Sequence, residues 1–109
     1  MSDLSNGKCV PCEGGVPPLS AAEASTLQAQ LQDGWTIAAD AKSLKRSYRF
    51  KDFYRTMSFV NAVAHVANIE DHHPDLEVGY DYCRVSFATH AIGGLSRNDF
   101  ICAAKLDRL

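Results

Sequence analysis

The sequence has little that would tie it to a membrane or to nucleic acid. Within its 109 residues no apolar run approaches the roughly 20 residues of a spanning helix. Met1 to Lys8 is polar and lacks the apolar stretch of a secretory signal. Eleven Lys and Arg stand against thirteen Asp and Glu, a net charge of −2. Phosphate-backbone binding rests on clustered positive charge, so that balance disfavours nucleic acid as a direct partner. A Gly-rich phosphate loop is missing as well, because Gly93-Gly94 lacks the remaining glycines and the lysine of a P-loop. No Gly-x-Ser-x-Gly elbow occurs. The chain is too short for an enzyme with its own dinucleotide-binding half. What is there, 46% hydrophobic and 22% charged residues, suits one globular domain. A soluble, cytoplasmic protein is the expectation.

Four cysteines are few for a disulfide framework in a chain long enough to build a core without one. Cys83 and Cys102 lie in apolar periodic segments and read as small buried hydrophobes. Cys9 and Cys12 form a Cys-Val-Pro-Cys pair, which supplies two of the four ligands of a structural zinc with no second pair following. A redox CxxC would follow a strand and open a helix, whereas Glu13-Gly14-Gly15-Val16-Pro17-Pro18 follows here. The expected state is a flexible leader over residues 1–18, carrying two free thiols, ahead of a domain over residues 19–109. Three of the seven glycines and three of the four prolines fall in that leader.

From Ser20 the pattern becomes regular. Ser20-Ala21-Ala22-Glu23 fits a capping box, and Leu27 and Leu31 follow at helical spacing before Gly34. Trp35, Ile37 and Ala39 alternate as a strand; Leu44, Tyr48 and Phe50 share one parity of a second, with a turn over residues 39–42. From Asp52 a long helix is expected, with Phe53, Met57, Val60, Ala64 and Ala67 as its apolar stripe, widened by Phe59, Val63 and Val66. It should end before Pro74, which disfavours helical geometry at His73. Leu76, Val78 and Tyr80, then Cys83, Val85, Phe87 and Thr89, read as a second hairpin turning near Asp81. Ser96 can cap a last helix, with Asp99 in its first turn and Phe100, Ala103 and Ala104 on its buried face. The predicted fold is α+β: a four-stranded antiparallel sheet with three helices on one face, in the order α-β-β-α-β-β-α.

The chemistry centres on His72-His73-Pro74, with His90 ending the last strand and His65 inside the long helix. A helix C-terminus favours a protonated imidazole and a neighbouring imidazolium opposes it, so such a cluster can hold an acid and a base near neutrality. Three imidazoles can also bind zinc, and adjacent loop histidines are often simply solvated. The residues alone leave these readings open.

The stretch Asp71-His72-His73-Pro74-Asp75, followed by Tyr80, His90 and Asp99, resembles the signature of the pterin-4a-carbinolamine dehydratases. The resemblance runs from about Leu19 to Leu109 and takes in Gly34-Trp35 and Phe50-Lys51-Asp52-Phe53. Five residues separate Pro74 from Tyr80, nine Tyr80 from His90, and eight His90 from Asp99. The chain departs from the family at Asn68, where a charged residue is usual; asparagine can hydrogen-bond a pterin amide edge but brings no charge.

The resemblance implies dehydration of a 4a-hydroxytetrahydropterin, released by aromatic amino-acid hydroxylases, to quinonoid dihydropterin. His73 would be the central acid–base group, with His72 and His90 sharing protonation and substrate orientation. Asp71, Asn68, Asp99 and the backbone of Ala88, Thr89 and Ala91 would form the substrate-binding set, with Asp99 also placed to fix His90 or its loop. Trp35 would pack rather than react. Eliminating water needs neither metal nor redox cofactor, so no cofactor is expected. Family resemblance also implies a homodimer or homotetramer, with an aromatic amino-acid hydroxylase as a functional partner. The alternative it carries is a non-catalytic binding protein, as in relatives that act as dimerisation cofactors or assembly factors.

Overall fold

The computed structural model describes residues 4–10 and 16–109. Its first helix, α1 (Ala21–Gln28), opens on the expected capping box: Glu23 N–H donates to Ser20 Oγ, and Ser20 N–H to the Glu23 carboxylate. It stops at Gln28, single-turn bonds carry the chain on to Leu31, and Gly34 follows with a φ of 111° that suits a residue without a Cβ. Strand β1 (Thr36–Ile37) is therefore shorter than the alternation from Trp35 to Ala39 suggests. Trp35 packs as expected: its ring is buried and its Nε1–H donates to Asp107 at 2.8 Å.

The remaining strands are β2 (Leu44–Arg49), β3 (Asp75–Val78) and β4 (Tyr82–Phe87), and the sheet order is β1-β2-β4-β3, antiparallel throughout. Register explains its two faces. Leu44 pairs with Phe87, Tyr48 with Cys83, and Val85 with Leu76, so these apolar residues share the face that joins the core. Lys45, Ser47, Arg49, Arg84 and Glu77 take the opposite parity and are exposed.

Helix α2 (Phe53–Glu70) packs on the apolar face, capped by Asp52, which accepts from Arg55 N–H. Its buried line is Thr56, Val63, Ala67 and Glu70. Phe53 and Ala64, assigned above to the apolar stripe, are exposed instead. The face that Phe59, Val63 and Val66 were expected to widen is the one that meets the sheet. The helix ends at Glu70, ahead of the stop expected from Pro74, because Asp71 turns left-handed (φ 51°, ψ 41°).

Helix α3 (Arg97–Leu106) carries the densest part of the core: Phe100, Ile101, Cys102, Ala103, Ala104 and Leu106 are buried.

The reading of the leader as a flexible tail is corrected for the part described. Leu4 is fully buried, in a 3-10 turn over Leu4–Asn6, and Lys105 Nζ donates to Ser5 O at 3.0 Å. Cys9 N–H donates to Glu70 Oε1 at 2.9 Å, and Asn98 both accepts from Val10 N–H and donates to Val10 O. Burying one leucine is worth about 1.5–3 kcal/mol, enough to hold a short segment that also satisfies its backbone on α3. Cys12 lies outside the described residues.

A cavity lined by three histidines

Four chain segments meet where α2 and β4 end and α3 begins, the fourth being residues 8–10. They enclose an open cavity of about 700 Å³. His72, His73 and His90 all line it, together with Asp71, Ala88, Thr89 and Ala91. His65 does not, and it is exposed on α2.

Local structure explains the arrangement. The left-handed turn at Asp71 takes the chain off the helix axis, with His72 N–H still donating back to Ala67 O at 3.1 Å. His72 then enters the interior and stacks on Phe87 with ring planes 9° apart. His73 stays exposed, with Nε2–H donating to Asn68 Oδ1 at 3.0 Å. His90 opens a 3-10 turn over His90–Ile92, which a bridge between Thr89 and Gly94 closes.

Behind the cavity sits Asp99, fully buried. His72 Nε2 donates to its Oδ1 at 2.6 Å. Thr89 Oγ1 and Ser96 N–H donate to its Oδ2 at 2.8 and 2.9 Å, and the Thr89 and Ser96 hydroxyls bond each other at 2.7 Å. One carboxylate thus caps α3, holds the residue before His90 and orients His72. Burial works against a charged His72, but the hydrogen bond and negative charge of Asp99 outweigh it, so the imidazole holds its proton above the usual histidine range.

Two residues expected to meet a substrate stand elsewhere. Asn68 is off the cavity wall and holds His73; Asp99 is shut behind His72 and Thr89. Conversely, Lys8, Cys9, Val10, Ile69, Glu70 and Asn98 form part of the wall without having been expected there. The signals available were the Cys-Val-Pro-Cys pair and the phase of Glu70, three residues beyond Ala67 on the buried line of α2. Among the described residues no cluster of three or more His, Cys, Asp or Glu has the arrangement of a metal site. None of their helices is long and apolar enough to cross a membrane.

Residues 17–109 match the family model described as pterin 4 alpha carbinolamine dehydratase. A Nitrosomonas europaea protein bearing that family's name is 60% identical over 109 residues, covering 100% of this chain and 95% of the relative. One of the same name from Legionella pneumophila is 56% identical over 108 residues, covering 99% and 96%. Among solved structures, a transcriptional coactivator/pterin dehydratase from Brucella melitensis superposes with a TM-score of 0.78 at 31% identity, over 84% of this chain and 96% of that one. A pterin dehydratase-like RuBisCO assembly factor of the alpha-carboxysome shares the fold, with a TM-score of 0.61 at 18% identity over 71% and 89%.

Proposed function

The chain belongs to the pterin-4a-carbinolamine dehydratase family, and from that premise we propose that it dehydrates 4a-hydroxytetrahydropterin to quinonoid dihydropterin and water. The observation that carries this reading is the convergence of His72, His73 and His90 on one cavity, two of them at its open side and one backed by a buried carboxylate.

The reaction breaks the bond from C4a to the hydroxyl oxygen, protonates that oxygen as it leaves, and takes the proton from N5. Near neutrality both transfers suit imidazoles. His73, exposed and tethered to Asn68, is assigned the central acid–base role. His72 is occupied at Nε2 by Asp99, so its Nδ1 side and its positive charge are what it offers a bound pterin. His90 completes the set from the other wall, with the backbone of Ala88 to Ala91 and the Asp71 carboxylate orienting the ring. None of these steps calls for a cofactor. The chain would serve aromatic amino-acid hydroxylases in the cytoplasm by returning their spent pterin. A homodimer or homotetramer is supported by the exposed, stacked rings of Phe53 and Tyr80 and by the edge strand β3, where Val78 is also open.

The test is a stopped-flow assay in which 4a-hydroxytetrahydropterin is generated in place and its loss followed with and without purified protein. Acceleration that survives a chelator and is lost in His73→Ala, but kept in His65→Ala, supports the reading. Decay no faster than in buffer would leave a pterin-fold binding protein instead.

A further inference from the structure

We propose that Cys9 and Cys102 form a hydroperoxide-oxidisable thiol pair whose disulfide fastens one wall of the histidine cavity. Their sulfurs are 3.5 Å apart, although the two residues lie 93 positions apart in sequence. That proximity does not depend on the sulfurs themselves. Cys9 N–H is held by Glu70 and its neighbour Val10 is clamped twice by Asn98, so backbone bonds on either side set the position of Cys9 against α3. A disulfide needs an S–S separation of about 2.05 Å, so the sulfurs must approach by roughly 1.5 Å.

The two thiols differ in ways that divide the chemistry. Cys9 is partly exposed and lines the cavity, where a molecule as small as hydrogen peroxide can reach it. Cys102 is buried beneath it. The hydrogen bond from Cys102, helped by the charge of His72, draws the Cys9 thiol below its usual range against burial and the carboxylates of Glu70 and Asp99. The same hydrogen bond, together with burial, pushes the Cys102 thiol up. Cys9 is therefore the nucleophile and Cys102 the resolving thiol. Cys83, buried in the sheet away from the cavity, is an internal control.

Cys9 thiolate attacks one peroxide oxygen; the O–O bond breaks, leaving sulfenic acid and a hydroxide that takes up a proton to become water. Cys102 sulfur then attacks the Cys9 sulfur, its thiol proton goes to the departing hydroxyl, and a second water leaves as the S–S bond forms. Two thiols lose two electrons and one peroxide becomes two waters. The proposal rests on the thiol geometry and stands whether or not the chain is a dehydratase.

The test treats the reduced full-length protein with near-stoichiometric hydrogen peroxide, alkylates the remaining thiols and digests with trypsin without reductant. Cleavage after Lys8, Lys42, Arg97 and Lys105 places Cys9 and Cys12 in peptide 9–42 and Cys102 in peptide 98–105. A Cys12→Ser variant is run in parallel to assign the bridge. The expected product, in both proteins, is peptide 9–42 joined to 98–105, released by dithiothreitol, with Cys83 alkylated throughout. The oxidised Cys12→Ser protein should also melt higher than its reduced form, a shift absent in Cys102→Ser. Recovery of an internal Cys9–Cys12 disulfide with Cys102 alkylated would overturn the proposal. So would Cys9 accumulating as sulfinic acid beside a free Cys102.

Discussion

Along the inner side of the cavity, His72 leans on a carboxylate that water does not reach and that also holds Thr89 and the start of α3. On the outer side, the very next residue, His73, meets an exposed asparagine at 3.0 Å. The chemistry of the two side chains is the same, but their surroundings are not. The inner imidazole is tied into the fold and biased towards its charged form. The outer one is placed without being loaded with structural duty. The fold thus draws one imidazole into its interior and leaves the next exposed.

Four measurements would break or sharpen that contrast. The largest effect belongs to the outer side: His73→Ala should slow dehydration by about 10²–10⁴-fold, while its unfolding free energy in urea stays within about 0.5 kcal/mol of the parent. On the inner side the balance should reverse. Asp99→Ala strips an acceptor from three donors, and burial then favours the neutral form of His72; the loss of the pair and the unsatisfied donors together cost about 3–5 kcal/mol in urea unfolding. Equal destabilisation by the two substitutions would erase the distinction.

The inner side is further braced from behind by the N-terminal segment. Leu4→Ala should lower stability by about 2–3 kcal/mol, the lower part of the range for a buried leucine, since a segment near the chain end can settle into the gap. A melting temperature unchanged by that substitution would show that residues 4–10 contribute no stability. The smallest effect is on pH dependence. Folding raises the affinity of His72 for its proton. The resulting stabilisation is complete below the unfolded value of about 6.5 and is lost as pH rises through the higher folded value. Parent and His72→Gln should therefore differ most in urea midpoint at mildly acid pH and converge on the alkaline side. A gap that widens with pH would contradict the assignment.

Local rules made much of this fold legible. The Ser20–Glu23 box, the long helix after Asp52, both hairpins and the Ser96–Asp99 cap each have a signal within a few residues. The histidines too announce themselves by type and spacing. What stayed hidden depends on contacts across the chain. Leu4 is one leucine in a segment punctuated by glycine and proline, and no periodicity marks it as core. The bond from His72 to Asp99 spans 27 residues, whereas sequence position directed attention to His90, nine residues from Asp99. On α2 the regular spacing of Phe53, Met57 and Ala64 outweighed the less apolar line of Thr56 and Glu70, which tertiary packing selected.

The left-handed residue at Asp71 has one more consequence, which is angular. Each residue added to an α-helix turns its successor by about 100° around the axis. By halting α2 at Glu70, Asp71 sets the bearing from which the next two side chains depart. Had the helix run one residue further, the ring of His72 would have been swung away from Asp99, with every atom of the motif still present. The position at which this helix stops therefore works as a compass setting, and it decides which of two identical residues faces inward.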